Sequence, residues 1–303
     1  MKTATKAENK AAPAKEKKTA ASYKPGSFKY VWYKIRHTPT AMAGLCFIVG
    51  LFILSFISPY ILKYDAFTID MRLMNATPSA EHIFGCDEVG RDIFARVLYG
   101  ARYTMSIGIF TTSIACILGG TLGAIAGYFG GHLDNFIMRV LDVFQSFPGV
   151  LLAISLAAVL GSGFDKLILA LGISSMSGYA RLMRASILTI RNAEYAEAER
   201  SINCPTIRII TRHIVPNAMS PLVVQAAMGI ASAGLAASAL SFLGFGIAAP
   251  TPEWGSMLSS ARNYIRNYPH LCIFPGLFIM FNVVSYNLIG DTVRDALDPK
   301  LKD

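Results

Sequence analysis

Charged side chains are scarce: Asp, Glu, Lys and Arg make up 16% of the 303 residues, about two thirds of the share typical of a soluble domain. With 53% hydrophobic residues and a mean hydropathy of +0.44, this composition excludes an ordinary soluble globule and points to a membrane protein. Catalytic signatures are missing too. No GxxxxGK[ST] loop occurs to cradle phosphates, so the chain does not read as an ATPase in its own right. The five histidines, His37, His82, His132, His213 and His270, show neither HExxH nor paired ligand spacing, which argues against an intramembrane metalloprotease. Among Cys46, Cys86, Cys116, Cys204 and Cys272 there is no CxxC, and three of the five lie in apolar segments. Neither a disulfide framework nor a metal site is expected. The first 37 residues hold ten Lys or Arg and no apolar run, whereas a cleaved signal peptide needs such a run directly after its basic start. Residues 1–30 read as a disordered basic tail.

What the sequence has instead is a series of long stretches free of charge and His. Thr38–Leu62 gives 25 such residues, Tyr103–Gly131 29, Val143–Phe164 22 and Leu271–Gly290 20, against about 20 needed to cross a bilayer. Leu167–Ala180 is clean for only 14 before Arg181 and Arg184. An Arg at a helix centre costs about 2.5 to 3.5 kcal/mol on the insertion scale, so a span starting near Asp165 should leave both arginines snorkelling at its far end. Ile214–Pro252 is uncharged for 39 residues, enough for one span with an irregular continuation or for two short ones; we take one, near 218–245. The expected fold is all-α and integral to the membrane. Six transmembrane helices lie at about 38–62, 103–128, 141–161, 165–186, 218–245 and 271–291, with an extracytoplasmic segment over 63–101 and a tail over 292–303.

The loop charges orient this arrangement. Segments on the side shared by both termini carry 20 of the 28 Lys and Arg, which by the positive-inside rule puts both termini and residues 191–217 in the cytoplasm. The net charge of +9 then serves membrane orientation, and no nucleic-acid partner is expected. Asp142, Asp165 and Asp291 sit at expected span ends, where an ion-driven carrier would want its carboxylates near the midplane. Within the spans, Gly119, Gly123 and Gly127, and again Gly229, Ala233, Ala237 and Ser241, recur every four residues. Such stripes let helix backbones approach closely; pore lining is the lesser alternative.

The segment EYAEAERSINCPTIRIITRHIVPN, 194–217, is charged where its neighbours are greasy. Glu194–Ile202 favours a helix. Asn203 is second only to Gly for the left-handed position after a helix, and Pro205 blocks continuation but suits the first turn of a new one. In the second helix, Ile207, Ile210 and Ile214 should form an apolar stripe while Arg208 and Arg212 share another face. Two short helices joined by a bend describe either a solvated loop or a docking element.

A resemblance bears on that choice. The segment resembles the EAA loop of ABC importer permeases: Glu197, Ala198 and Pro216 match, while Glu199 stands for the second Ala, Asn203 for Gly, His213 for Ile and Val215 for Leu. "RHIVPN" is close to the "RHILPN" of peptide-type permeases. "FGCDEVGRDIFARVLYGAR", 84–102, is similar to their "GTDxxGRDxxSRxxYGAR", with Cys86 in place of Thr and Ala95 in place of Ser. "SFLGFGIAAPTPEWGSML", 241–258, and "RDALDPKL" also resemble segments of that branch. From about residue 30 onward the chain looks like a C-type permease subunit of a peptide- or nickel-type importer.

The resemblance implies a type I importer permease core over 102–291 with cytoplasmic coupling helices, in a prokaryotic plasma membrane. It implies a second homologous permease subunit as a heterodimer partner and an extracytoplasmic substrate-binding protein. Two ATPase subunits would use ATP and Mg, and this chain would bind no cofactor. Contacts with the ATPase would fall on Glu194, Glu197, Ala198, Glu199, Arg200, Asn203, Pro205, Arg208, Arg212, His213 and Pro216. Asp87, Gly90, Arg91 and Asp92 form a candidate contact for the binding protein, or else part of a folded cap on the spans. The expected cargo is di- or oligopeptides, with nickel or a metal chelate as the alternative. An ion-driven carrier and a scaffold or sensor are the readings from other classes.

Overall fold

The structure is a computed structural model and describes residues 27–297; most of the basic tail expected over 1–30, and the last six residues, lie outside that range. Among the described residues its regular structure is helical, with a single 3-10 turn at Met71–Leu73 and one isolated bridge between Cys86 and Asp92. Ten helices follow in order: α1 (Phe28–His37), α2 (Pro39–Ile61), α3 (Ile93–Phe129), α4 (Gly131–Gln145), α5 (Gly149–Leu160), α6 (Phe164–Ile190), α7 (Glu194–Ser201), α8 (Thr206–Phe242), α9 (Trp254–Ala261) and α10 (His270–Leu297).

Helix α1 begins inside the expected tail. FKYVWYKIRH has Val31 and Ile35 one turn apart, and they pack with Ala41, Val293 and Leu297 against α2 and α10. Ten residues are too few to register as an apolar run. Pro39 then opens α2, where a missing N–H costs nothing.

Four helices, α2, α3, α8 and α10, are long and apolar enough to cross a bilayer. The third expected span, 141–161, is not one helix. It is divided between α4 and α5, which meet at 88°, because Pro148 has no N–H to continue α4 and disfavours a helical Phe147 before it. Counted as one broken span, the pair would make a fifth. Helix α6, expected as the fourth span, falls short of the same apolarity. Its two arginines are paired with α4: Arg184 donates to both oxygens of Asp134 at 2.6 and 2.7 Å, and Arg181 to Asp142 at 2.6 Å.

The glycine stripe on α3 is where the bundle is tightest. A Cβ added at Gly119 would overlap the Met176 carbonyl, one at Gly123 the Ala180 carbonyl, and one at Gly127 would lie 3.0 Å from the Arg184 carbonyl. The four-residue step on α3 thus matches a four-residue step on α6, backbone against backbone. Gly108 likewise admits α8, with the Ile230 carbonyl 2.9 Å from its missing Cβ. At the other end of α3, Trp254 is fully buried with Val97, Leu98, Ala101 and Met105, and its indole N–H donates to the Val97 carbonyl at 2.9 Å.

Gly123→Val should lower the thermal unfolding midpoint of the purified protein, with a cost of about 1 to 3 kcal/mol or more from overpacking. Gly131→Ala, where a Cβ meets no atom within 4 Å, should cost only the strain of its left-handed backbone. Equal midpoints would contradict the backbone contact.

Candidate functional site

Helix α7 lies across the ends of α3, α6 and α8. Glu194 and Glu197 fall in its first turn and Arg200 in its last, the arrangement that suits the helix dipole. Its inner face is a single residue wide: Ala196 is fully buried among Ile187 of α6 and Ile209 and Ile214 of α8. A larger side chain would lift α7 off this core.

The end of α7 is set by Asn203. Its φ is 60°, its N–H donates to the Arg200 carbonyl at 3.0 Å, and the Cys204 N–H donates to the Glu199 carbonyl at 3.1 Å. This pair of bonds is the Schellman closure of a helix, with Asn in the place Gly usually takes. Pro205 then caps α8, its carbonyl accepting from the Arg208 and Ile209 N–H groups at 2.9 and 3.2 Å. The second helix is not short, because it runs on as α8 for 37 residues.

The stripe expected at Ile207, Ile210 and Ile214 is not the one that packs. Residues Ile209–Ile214 form a π-helical stretch, in which the Val215 N–H donates to the Ile210 carbonyl. Pro216 follows and offers no N–H to the Arg212 carbonyl, so the wide turns absorb the missing bond. Five-residue spacing brings Ile209 and Ile214, 1% and 0% exposed, onto the inner face; Ile207 is turned out and is 69% exposed.

Polar contacts fasten this element to its surroundings. Glu199 Oε1 lies 2.9 Å from His213 Nδ1, joining α7 to α8. Arg200 donates to the Arg191 carbonyl at 2.9 Å and lies over the Tyr128 ring, while Arg191 donates to the Gly127 carbonyl at 3.0 Å at the end of α3. Glu194, Glu197, Ala198, Arg208, Arg212 and Pro216 are exposed. With them stand Tyr195, Ile202 and Ile207, 41%, 78% and 69% exposed, an apolar group that the helical period assigned inward or passed over. No sequence signal distinguishes Ile207 from a core residue until the π turn at Ile209–Ile214 is known.

The other candidate group is buried. Asp87 Oδ1 accepts from the Val89 and Arg91 N–H groups at 3.0 and 2.9 Å, and Asp87 Oδ2 pairs with Arg91 at 2.7 Å and Arg96 at 3.3 Å. Gly90 has φ 81°, and a Cβ there would strike the Asp70 carbonyl. Asp92 caps α3 by accepting from the Ala95 N–H at 2.7 Å, and its second oxygen meets His82 at 2.8 Å. Burial, with the nearby Asp92 and Asp87, pushes the Cys86 thiol up to about 11. These contacts tie the 62–92 segment to the start of α3.

Residues 119–303, which include α7 and the bend at Asn203, match the family model described as binding-protein-dependent transport system inner membrane component. The chain belongs to that family. Residues 27–78 of the permease match the model for the N-terminal TM domain of oligopeptide transport permease C. It is 40% identical over 292 residues to the dipeptide transport system permease protein DppC of Alkalihalophilus pseudofirmus, covering 96% of this chain and 94% of that one. It is 42% identical over 272 residues to the glutathione transport system permease protein GsiD of Pectobacterium atrosepticum, covering 89% and 90%. A solved structure of the MetNI methionine ABC transporter in an inward-facing conformation superposes with a TM-score of 0.55 at 15% identity, over 67% of this chain and 96% of that one. The fold is therefore that of a type I importer permease, in a multi-pass inner-membrane protein of transport rather than catalysis.

Because Asn203 alone holds the left-handed position, Asn203→Gly should leave α7 intact. Asn203→Val should cost about 1 to 2 kcal/mol and raise amide hydrogen exchange through α7 severalfold.

Proposed function

We propose that this permease is a pore-forming subunit of an ABC importer for di- and oligopeptides, and that α7 and the start of α8 are where an ATPase subunit docks. The observation that carries the docking role is the division of this element into two faces. Ala196, Ile209 and Ile214 fix one face to α3, α6 and α8, while Tyr195, Glu197, Ala198, Ile202, Ile207 and Arg208 stand exposed on the other. An exposed apolar group rimmed by charge is the composition of a protein interface. A rigid element docked in a cleft of an ATPase would transmit closure as a rigid-body shift of the helices it is fastened to.

The partners in this reading are a second, homologous permease subunit, two ATPase subunits that bind ATP and Mg, and an extracytoplasmic binding protein. The chain itself binds no cofactor. Both termini lie in the cytoplasm, as the Lys and Arg distribution favours. Peptide cargo is preferred over nickel or a chelate because the relatives at 40 and 42% identity are named for dipeptide and glutathione transport. Family membership leaves the ion-driven carrier and scaffold readings without support.

In reconstituted complexes, Ile207→Asp and Glu197→Lys should reduce copurification of the ATPase subunits and peptide uptake at least about tenfold, the loss of about 1.4 kcal/mol or more of interface energy. Neither should change the amount of folded permease. Unchanged uptake in both would rule out this face as the docking site.

A further inference from the structure

The 62–92 segment folds around a group that the transport function does not use. His82, Cys86 and Asp92 place one ligand-type atom each, an imidazole nitrogen, a thiol sulfur and a carboxylate oxygen, within 4.8 Å of one another, and all three residues are buried. The three are spaced four and six residues apart, and the fold closes them into one group.

The backbone holds each of them separately. Cys86 and Asp92 face each other across the isolated bridge. The Cys86 N–H donates to the Ala76 carbonyl at 2.9 Å, the Gly85 N–H to the His82 carbonyl at 2.8 Å, and the Ile93 N–H to the Gly85 carbonyl at 3.0 Å. Gly85, at φ 77°, makes the turn that carries Cys86 under His82. The Tyr64 ring lies 4.3 Å from the His82 ring and covers its side. Helix capping explains one oxygen of Asp92, and the contact with His82 at 2.8 Å explains the other. Neither explains a fully buried thiol beside that pair, at a position where the permeases this segment resembles have Thr.

We propose that His82, Cys86 and Asp92 form an open, three-ligand binding site for a borderline-soft divalent transition metal, with Zn²⁺ as the fitting ion. Imidazole nitrogen, thiolate and carboxylate are the three ligand types Zn²⁺ accepts, and three protein ligands leave its fourth position to water. A coordinated thiol gives up its proton, and the thiolate and carboxylate together then balance the charge of the ion. The ion would take the place of the His82 to Asp92 hydrogen bond and would fasten residues 82–86 to the first turn of α3.

The test is metal analysis of the assembled transporter, purified without chelator, incubated with Zn²⁺ and desalted. The expected result is about one zinc per permease chain, with a sulfur scatterer at about 2.3 Å in the zinc X-ray absorption spectrum. Cys86→Thr, which the resembled pattern tolerates, should lower bound zinc at least about tenfold, since even groups that only support a metal ligand are worth roughly ten- to hundredfold in affinity. Zinc well below one per chain, equal zinc in the wild type and Cys86→Thr, or a spectrum without sulfur would each overturn the proposal. Should the variant fail to assemble, the wild-type spectrum decides alone.

Discussion

The contact on which the other parts depend is the one between the backbones of α3 and α6. Without side chains at Gly119, Gly123 and Gly127, the two helices meet through carbonyls and Cα atoms over three turns. In lipid there is no hydrophobic gain from bringing helices together, so close van der Waals contact over a long seam has to supply the cohesion. The seam also fixes the relative height of the two helices, because each glycine fits against only one position on α6. Everything at the α7 end is placed with respect to that height.

From the last glycine of the seam, a series of polar contacts leads outward. The Gly127 carbonyl accepts from Arg191, the Arg191 carbonyl accepts from Arg200, and Arg200 lies at the end of α7. A second connection runs from Ile187 of α6 through Ala196 to Ile209 and Ile214. Glu199, a departure from the resembled family pattern, makes contact with His213, which the RHILPN form of the peptide-type branch also carries. The departure thus adds a polar contact between α7 and α8.

How far the sequence revealed this depends on which physical rule governs each residue. Asn203 was legible because a left-handed backbone position has few tolerant residues and Pro205 removes the alternative of a longer helix. The glycine stripe on α3 was legible because small residues every four positions have few uses in a membrane helix. Ile207 was misassigned because the 3.6-residue period assumes α geometry, and the π turns before Pro216 advance the inner face by a different step. The 141–161 span was read as continuous because hydropathy does not register a bend. Pro148 was visible, but a Pro at a helix start and a Pro that breaks a span look alike in sequence. The 62–92 segment was the least legible. Asp87 pairs with Arg96 of α3 as well as Arg91, and Asp92 with His82 ten residues earlier, partners that only the folded loop brings together.

These differences also bear on which parts of the permease can move. At its three glycines the seam of α3 and α6 is glycine Cα against α6 backbone, so sliding one helix along the other would drive each Cα into the next residue's carbonyl. The α7 element is fastened to both helices and to α8, and must travel with them. The bend between α4 and α5 is held on both sides. Arg184 and Arg181 fasten α4 to α6, and Ala153 and Ala157 of α5 are buried with Leu167, Ile168 and Leu171 of α6. A rigid shift imposed at α7 would therefore carry α3, α4, α5 and α6 together, with the bend at residues 146–148 travelling as part of the same body.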